Sequence, residues 1–126
     1  MTKRYSLKIL TDFAASHSLR NYPGACQRMH GHNWKVEVEA VASKLDELGI
    51  GIDFKQMKKM TNRVLDKLDH YHLNDIPPFT EINPSAENIA QYIFTELQKV
   101  MNSDTVKLSA ITVWETDRAC VRYSED

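Results

Sequence analysis

His30-Gly31-His32-Asn33-Trp34-Lys35-Val36-Glu37-Val38-Glu39-Ala40-Val41-Ala42 alternates: Trp34, Val36, Val38 and Ala40 fall on one side, and Lys35, Glu37 and Glu39 on the other. Side chains along a strand point to opposite faces with period two. Residues 31–42 therefore read as a strand with one apolar face and one that is wet or faces a partner. Residues 4–17 alternate likewise, with Tyr5, Leu7, Ile9, Phe13 and Ala15 apolar and Thr11 the exception. His17 is in step with the apolar positions of the first run, and His30 and His32 with those of the second. If the runs pair as antiparallel neighbours, the end of one lies beside the start of the other. All three histidines then share one end of one face, an arithmetic that solvated histidines have no reason to obey. Three histidines are the ligand set of a zinc site that keeps a position open for water or substrate.

Between the strands lies an irregular segment, Ser18 to Met29, whose Asn21-Tyr22-Pro23-Gly24 is a turn signal. It carries Cys26, where a metal or nearby cation would favour the thiolate. Downstream, Gly49-Ile50-Gly51 leads to Asp53, which with Gln56 resembles a capping box. Phe54, Met57, Thr61, Val64, Leu65 and Leu68 recur at helical spacing, predicting an amphipathic helix over 54–68. Pro77-Pro78 forbids its continuation. Ser85 is the expected cap of a second helix whose stripe is Ile89, Tyr92, Ile93, Leu97, Val100 and Met101. Val106, Leu108, Ala110 and Thr112 alternate into a third strand ending at Trp114-Glu115-Thr116. Asp117-Arg118 turns into a last strand, Ala119 to Tyr123, on which Cys120 reads as a small core residue. The order ββααββ predicts an α+β fold: a four-stranded antiparallel sheet with both helices on one face. Its edges and second face need cover, so self-association is expected.

The chain has 126 residues, 42% hydrophobic and 26% charged, which fits one globular domain spanning 1–126. A net charge of −1 gives no basic footprint for nucleic acid. No apolar run approaches membrane-spanning length. The polar start of the sequence lacks a signal-peptide core, and two distant cysteines do not make a disulfide framework. The expected location is the cytoplasm.

Four pieces together carry a resemblance: Phe13-Ala14-Ala15-Ser16-His17, Cys26-Gln27-Arg28-Met29-His30-Gly31-His32, Leu68-Asp69-His70-Tyr71-His72-Leu73-Asn74 and Trp114-Glu115-Thr116. They resemble the 6-pyruvoyl-tetrahydropterin synthase family over nearly the full length, and within it the bacterial branch that makes 6-carboxy-tetrahydropterin for queuosine. Pro84-Ser85-Ala86-Glu87-Asn88 also looks like the family's entry to its second helix. The resemblance implies the tunnelling fold (T-fold), a homohexamer built as a dimer of trimers, and active sites at subunit boundaries. It implies one zinc per subunit on His17, His30 and His32, a catalytic Cys26 with the partner pair Asp69 and His70, and Glu115 as the anchor of the pterin ring. It implies a lyase acting on 7,8-dihydroneopterin triphosphate and releasing triphosphate and acetaldehyde.

Those residue types suit that chemistry. A zinc ion on neutral histidines stabilises charge on side-chain oxygens, a thiolate moves protons at carbon, and a carboxylate matches the paired donors of a pterin. Arg20, Arg28 and Lys35 are basic residues near enough in sequence to be candidates for the triphosphate, and His72 has no assigned role. The short gap between Cys26 and His30 favours the carboxy branch over a 6-pyruvoyl product, and the cysteine itself argues against a folate-linked branch with glutamate in its place. A reading from another class is a non-catalytic zinc module closed by Cys26 as fourth ligand.

Overall fold

The computed structural model describes residues 3–126. The two alternating runs become β1 (Tyr5–His17) and β2 (His30–Ala42), antiparallel neighbours in register from Tyr5 opposite Ala42 to His17 opposite His30. Two helices follow, α1 (Phe54–Leu65) and α2 (Ala86–Met101), and then β3 (Val106–Thr116) and β4 (Ala119–Ser124). All four strands form one antiparallel sheet in the order β1-β2-β3-β4. Both helices lie on one face, as the ββααββ order predicts. Trp34, Val36, Val38 and Ala40 are fully buried there with Met57 and Leu65 of α1 and Ile89, Ile93 and Leu97 of α2. Each large aliphatic side chain so buried contributes roughly 1.5–3 kcal/mol.

The helix starts follow the expected capping chemistry. The Asp53 carboxylate accepts from the backbone N–H groups of Lys55 at 2.7 Å and Gln56 at 3.4 Å. The Ser85 hydroxyl accepts from Asn88 N–H at 3.2 Å. These satisfy donors that a helix leaves unpaired at its start. The end of α1 differs from the expected Leu68. Lys67 and Leu68 donate to residues three back, Val64 at 3.3 Å and Leu65 at 2.9 Å, so the last turn tightens. Leu68 nonetheless stays buried, which is why the apolar period continues past the α-helix. In α2, Ala90 and Phe94 join the buried stripe and Val100 is 57% exposed.

The third strand also departs from simple alternation. Glu39 pairs with Ala110 and Ala40 with Leu108, leaving Ser109 as an extra residue. That bulge reverses the phase. Val106 and Leu108 are opposite the buried Ala42 and Ala40, whereas beyond the bulge Ile111 and Val113 are opposite the buried Val38 and Val36.

The other face of the sheet is charged. Lys8 pairs with Glu37 at 3.7 Å and Arg122 with Glu39 at 3.1 Å, and Lys35 Nζ lies 4.7 Å above the Trp114 ring. Cys120 is opposite Trp114 on this side and is exposed, not a core residue. The β4 positions in step with the core are Val121 and Tyr123.

Trp34 is the largest fully buried side chain, with its indole N–H donating to Ala15 O at 3.2 Å. Trp34→Ala should lower unfolding stability by about 3–5 kcal/mol, seen as a fall in the urea midpoint with an unchanged slope.

Candidate active site

The β1–β2 register places His17 directly opposite His30, with His32 opposite Ala15 two positions further along. Their ring centroids lie 4.5 Å (His17–His30), 4.8 Å (His30–His32) and 5.3 Å (His17–His32) apart. Trp34 forms the floor, meeting the His17 and His32 rings edge-on at 4.9 and 5.1 Å. The phase set by the Ser109 bulge brings Glu115 to the same end. Its Oε1 lies 3.1 Å from His32 Nε2 and 3.5 Å from His17 Nε2. One ligand atom from each of His17, His30, His32 and Glu115 fits within 4.8 Å of all the others.

The hydrogen bonds of the outer ring nitrogens fit a metal. His17 Nδ1–H donates to Pro84 O and His30 Nδ1–H to Arg28 O, each at 2.7 Å. A carbonyl only accepts, so both neutral rings carry the proton on Nδ1 and a lone pair on Nε2. Those two Nε2 atoms face each other at 3.0 Å. Two lone pairs so close repel unless a proton or a cation comes between them. Burial, the largest influence, holds His17 below the ordinary imidazole value of 6.5, disfavouring the proton. His32 is lowered by the same cause, against the opposing pull of Glu115. Glu115 Oε1 is near, yet among the described residues the buried His32 Nε2 has no partner in hydrogen-bond geometry. Three imidazole nitrogens and one carboxylate oxygen form a donor set for a transition metal such as zinc.

Cys26 lies on a short 3₁₀ turn, Ala25–Gln27, half-buried and free. It is not among the converging atoms, so the group that assembles is His₃Glu, and a His₃Cys set closed by Cys26 is not formed. Asp69 and His70 lie outside the converging group, and His32 is the member of it that shares a cleft with His70. His70 lines a cleft of about 450 Å³ together with His32, Ser16, Asn33, Tyr71 and His72. Asp69 Oδ2 is 3.0 Å from His70 Nδ1, and its Oδ1 accepts from Ala14 N–H at 2.9 Å. That backbone bond, more than His70, keeps the Asp69 carboxyl below its ordinary range.

Two of the basic candidates are used elsewhere. Arg20 donates through its guanidinium to the carbonyls of Ile82 at 3.2 Å, Asn74 at 3.4 Å and Phe79 at 2.7 Å. It is a strut across the loops. Lys35 belongs to the opposite face of the sheet. Arg28 is exposed and enters the site only through its carbonyl.

Sequence reading missed two asparagine clamps that extend β1 beyond His17. Asn74 bonds both the N–H and the carbonyl of Ser18, at 2.9 and 3.0 Å, and Asn83 does the same for Arg20 at 2.9 and 3.1 Å. Their only sequence signal is an amide residue in a proline-flanked loop.

This sheet, carrying a three-histidine centre at one end, defines a T-fold protein. The structure of Caenorhabditis elegans 6-pyruvoyl tetrahydropterin synthase superposes with a TM-score of 0.87 at 27% identity, covering 99% of this chain and 98% of that one. The chain belongs to the 6-pyruvoyl tetrahydropterin synthase family, whose pattern matches residues 6–126. A protein of Archaeoglobus fulgidus with the provisional name 6-carboxy-5,6,7,8-tetrahydropterin synthase is 39% identical, covering 86% of this chain and 90% of its own. The 6-carboxy-5,6,7,8-tetrahydropterin synthase of Synechocystis is 33% identical, covering 88% of this chain and 86% of its own.

The centre should bind one metal ion per chain by elemental analysis, and His17→Ala should abolish it. Burial lowers the proton affinity of His17 and His32 relative to an ordinary imidazole, which favours the neutral ligand form. Bound metal should therefore be lost on acidification at a lower pH than an ordinary imidazole ligand would allow, as protons compete.

Proposed function

We propose that the protein is a zinc-dependent lyase of queuosine and 7-deazaguanine precursor synthesis. It converts 7,8-dihydroneopterin triphosphate and one water to 6-carboxy-5,6,7,8-tetrahydropterin, acetaldehyde and triphosphate. The observation that carries this reading is the convergence of three histidines, two of them fixed through their outer nitrogens, with His32 on a cleft that His70 also lines. The names of the Archaeoglobus and Synechocystis relatives favour the carboxy product.

His17, His30 and His32 hold the zinc, which when bound supplies Lewis acidity to the substrate's side-chain hydroxyls. Cys26 removes and returns protons at the side-chain carbons. Asp69 accepts from His70 Nδ1–H, which sets the tautomer and leaves Nε2 as the atom that takes or gives a proton. Glu115 binds the guanidine-like edge of the pterin; Oε1 is the oxygen that faces the histidines in both of its contacts there. In this reading residues 1–126 act as a single domain in the cytoplasm.

The position of Cys26 outside the converging atoms is consistent with a site completed at a subunit boundary. β1 and β4 are the edges of the sheet within one chain. Edge strands with free backbone groups pair readily with another chain. A homohexamer, two trimers stacked, uses both edges.

A second reading, 6-pyruvoyl-tetrahydropterin synthesis, is favoured by the likeness to the Caenorhabditis elegans enzyme. The two products differ by one carbon–carbon cleavage that consumes the water. Single-turnover incubation of the zinc-loaded protein with 7,8-dihydroneopterin triphosphate, followed by mass spectrometry, separates them. The expected products are the 6-carboxy pterin and acetaldehyde, absent with Cys26→Ala. A 6-pyruvoyl product moves the assignment to the second reading, and no turnover with zinc bound overturns both.

A further inference from the structure

His70 has φ +65°, a left-handed conformation that side chains with a Cβ adopt at a cost. Such a residue persists only where its surroundings over-determine it. Two anchors flank it, and both attach to the outer edge of β1. Before it, the Asp69 carboxylate accepts from Ala14 N–H, and His70 N–H itself donates to Ala14 O at 2.6 Å. After it, Ser16 N–H donates to Tyr71 O at 3.2 Å, and Ser16 Oγ is hydrogen-bonded to His72 Nδ1 at 2.9 Å. Ser16 and His72 also form a parallel bridge, so the segment joins β1 as a fragment of strand.

We infer that His72, tied to Ser16, is a positioning residue: the pair closes the second anchor that holds His70 left-handed, with its imidazole on the cleft. The inference rests on the reading of His70 as the acid–base residue. His72 is half-buried on the same cleft and is not among the residues whose ligand atoms converge. Its loss leaves the Asp69–Ala14 anchor in place and the second anchor resting on the Ser16–Tyr71 backbone bond alone. The far side of His70 is then held more weakly, and the productive placement of the ring is less populated.

The test uses the zinc-loaded full chain and compares His72→Ala with His72→Asn, whose side-chain amide can take over the bond to Ser16. Two quantities are read: kcat and KM with dihydroneopterin triphosphate, and hydrogen exchange by NMR of the Ser16 amide, which donates to Tyr71 O in the second anchor. His72→Ala should lower kcat roughly fivefold to thirtyfold, the scale of the left-handed penalty. KM and zinc content should hold while the Ser16 amide exchanges faster, and His72→Asn should recover most of both losses. Unchanged kcat and exchange in His72→Ala overturn the inference. So does a fall in kcat accompanied by loss of zinc or a raised KM, which assigns His72 to the substrate or the fold. If the wild-type chain does not turn over this substrate, the proposed function fails, while amide exchange in the two variants still decides the clamp.

Discussion

The pairing of β1 with β2 is the constraint on which the rest depends. Its register runs without interruption from Tyr5 opposite Ala42 to His17 opposite His30. The same alternation that buries Phe13, Trp34, Val36 and Val38 under the helices places His17, His30 and His32 at the end of the buried face. A slip of one residue in either strand would send its apolar set to water and its histidines to the charged side. Burying the core and building the centre are therefore one specification, and the hydrophobic energy of the sheet fixes the geometry of the ligands.

The surroundings of the centre come from segments far apart in sequence. Pro84 and Arg28 contribute only carbonyls, yet these orient His17 and His30. Arg20, Asn74 and Asn83 bind loop to loop, so that Pro84 is presented at the right height above β1. None of these groups carries out chemistry in the proposed reaction. Each removes freedom from one that does, and preorganisation of this kind is what a metal centre needs from the groups behind its ligands.

Much of this was legible from the residues. Period two revealed the shared phase of the three histidines, and Asp53 and Ser85 announced the starts of both helices. The tightened turn after Leu65 was not legible, because Leu68 keeps the apolar period after the hydrogen bonding has changed. Arg20 read as a candidate for the triphosphate because a sequence does not show three carbonyls meeting at its guanidinium. Cys120 read as core because small size suggests burial, whereas its strand phase puts it on the charged face. The resemblance supplied Glu115; alternation alone would have misplaced it, since Val106 and Leu108 set a phase that Ser109 reverses.

That single unpaired serine acts like a frameshift written in space. Before it, even-numbered residues of β3 look toward the helices; after it, odd-numbered ones do. Two chains of this fold could share every side chain around the histidines and still differ in which face the last carboxylate reaches, if only one kept the extra residue. The polar and apolar letters of a strand lacking that extra residue would line up with this one only with a gap at residue 109.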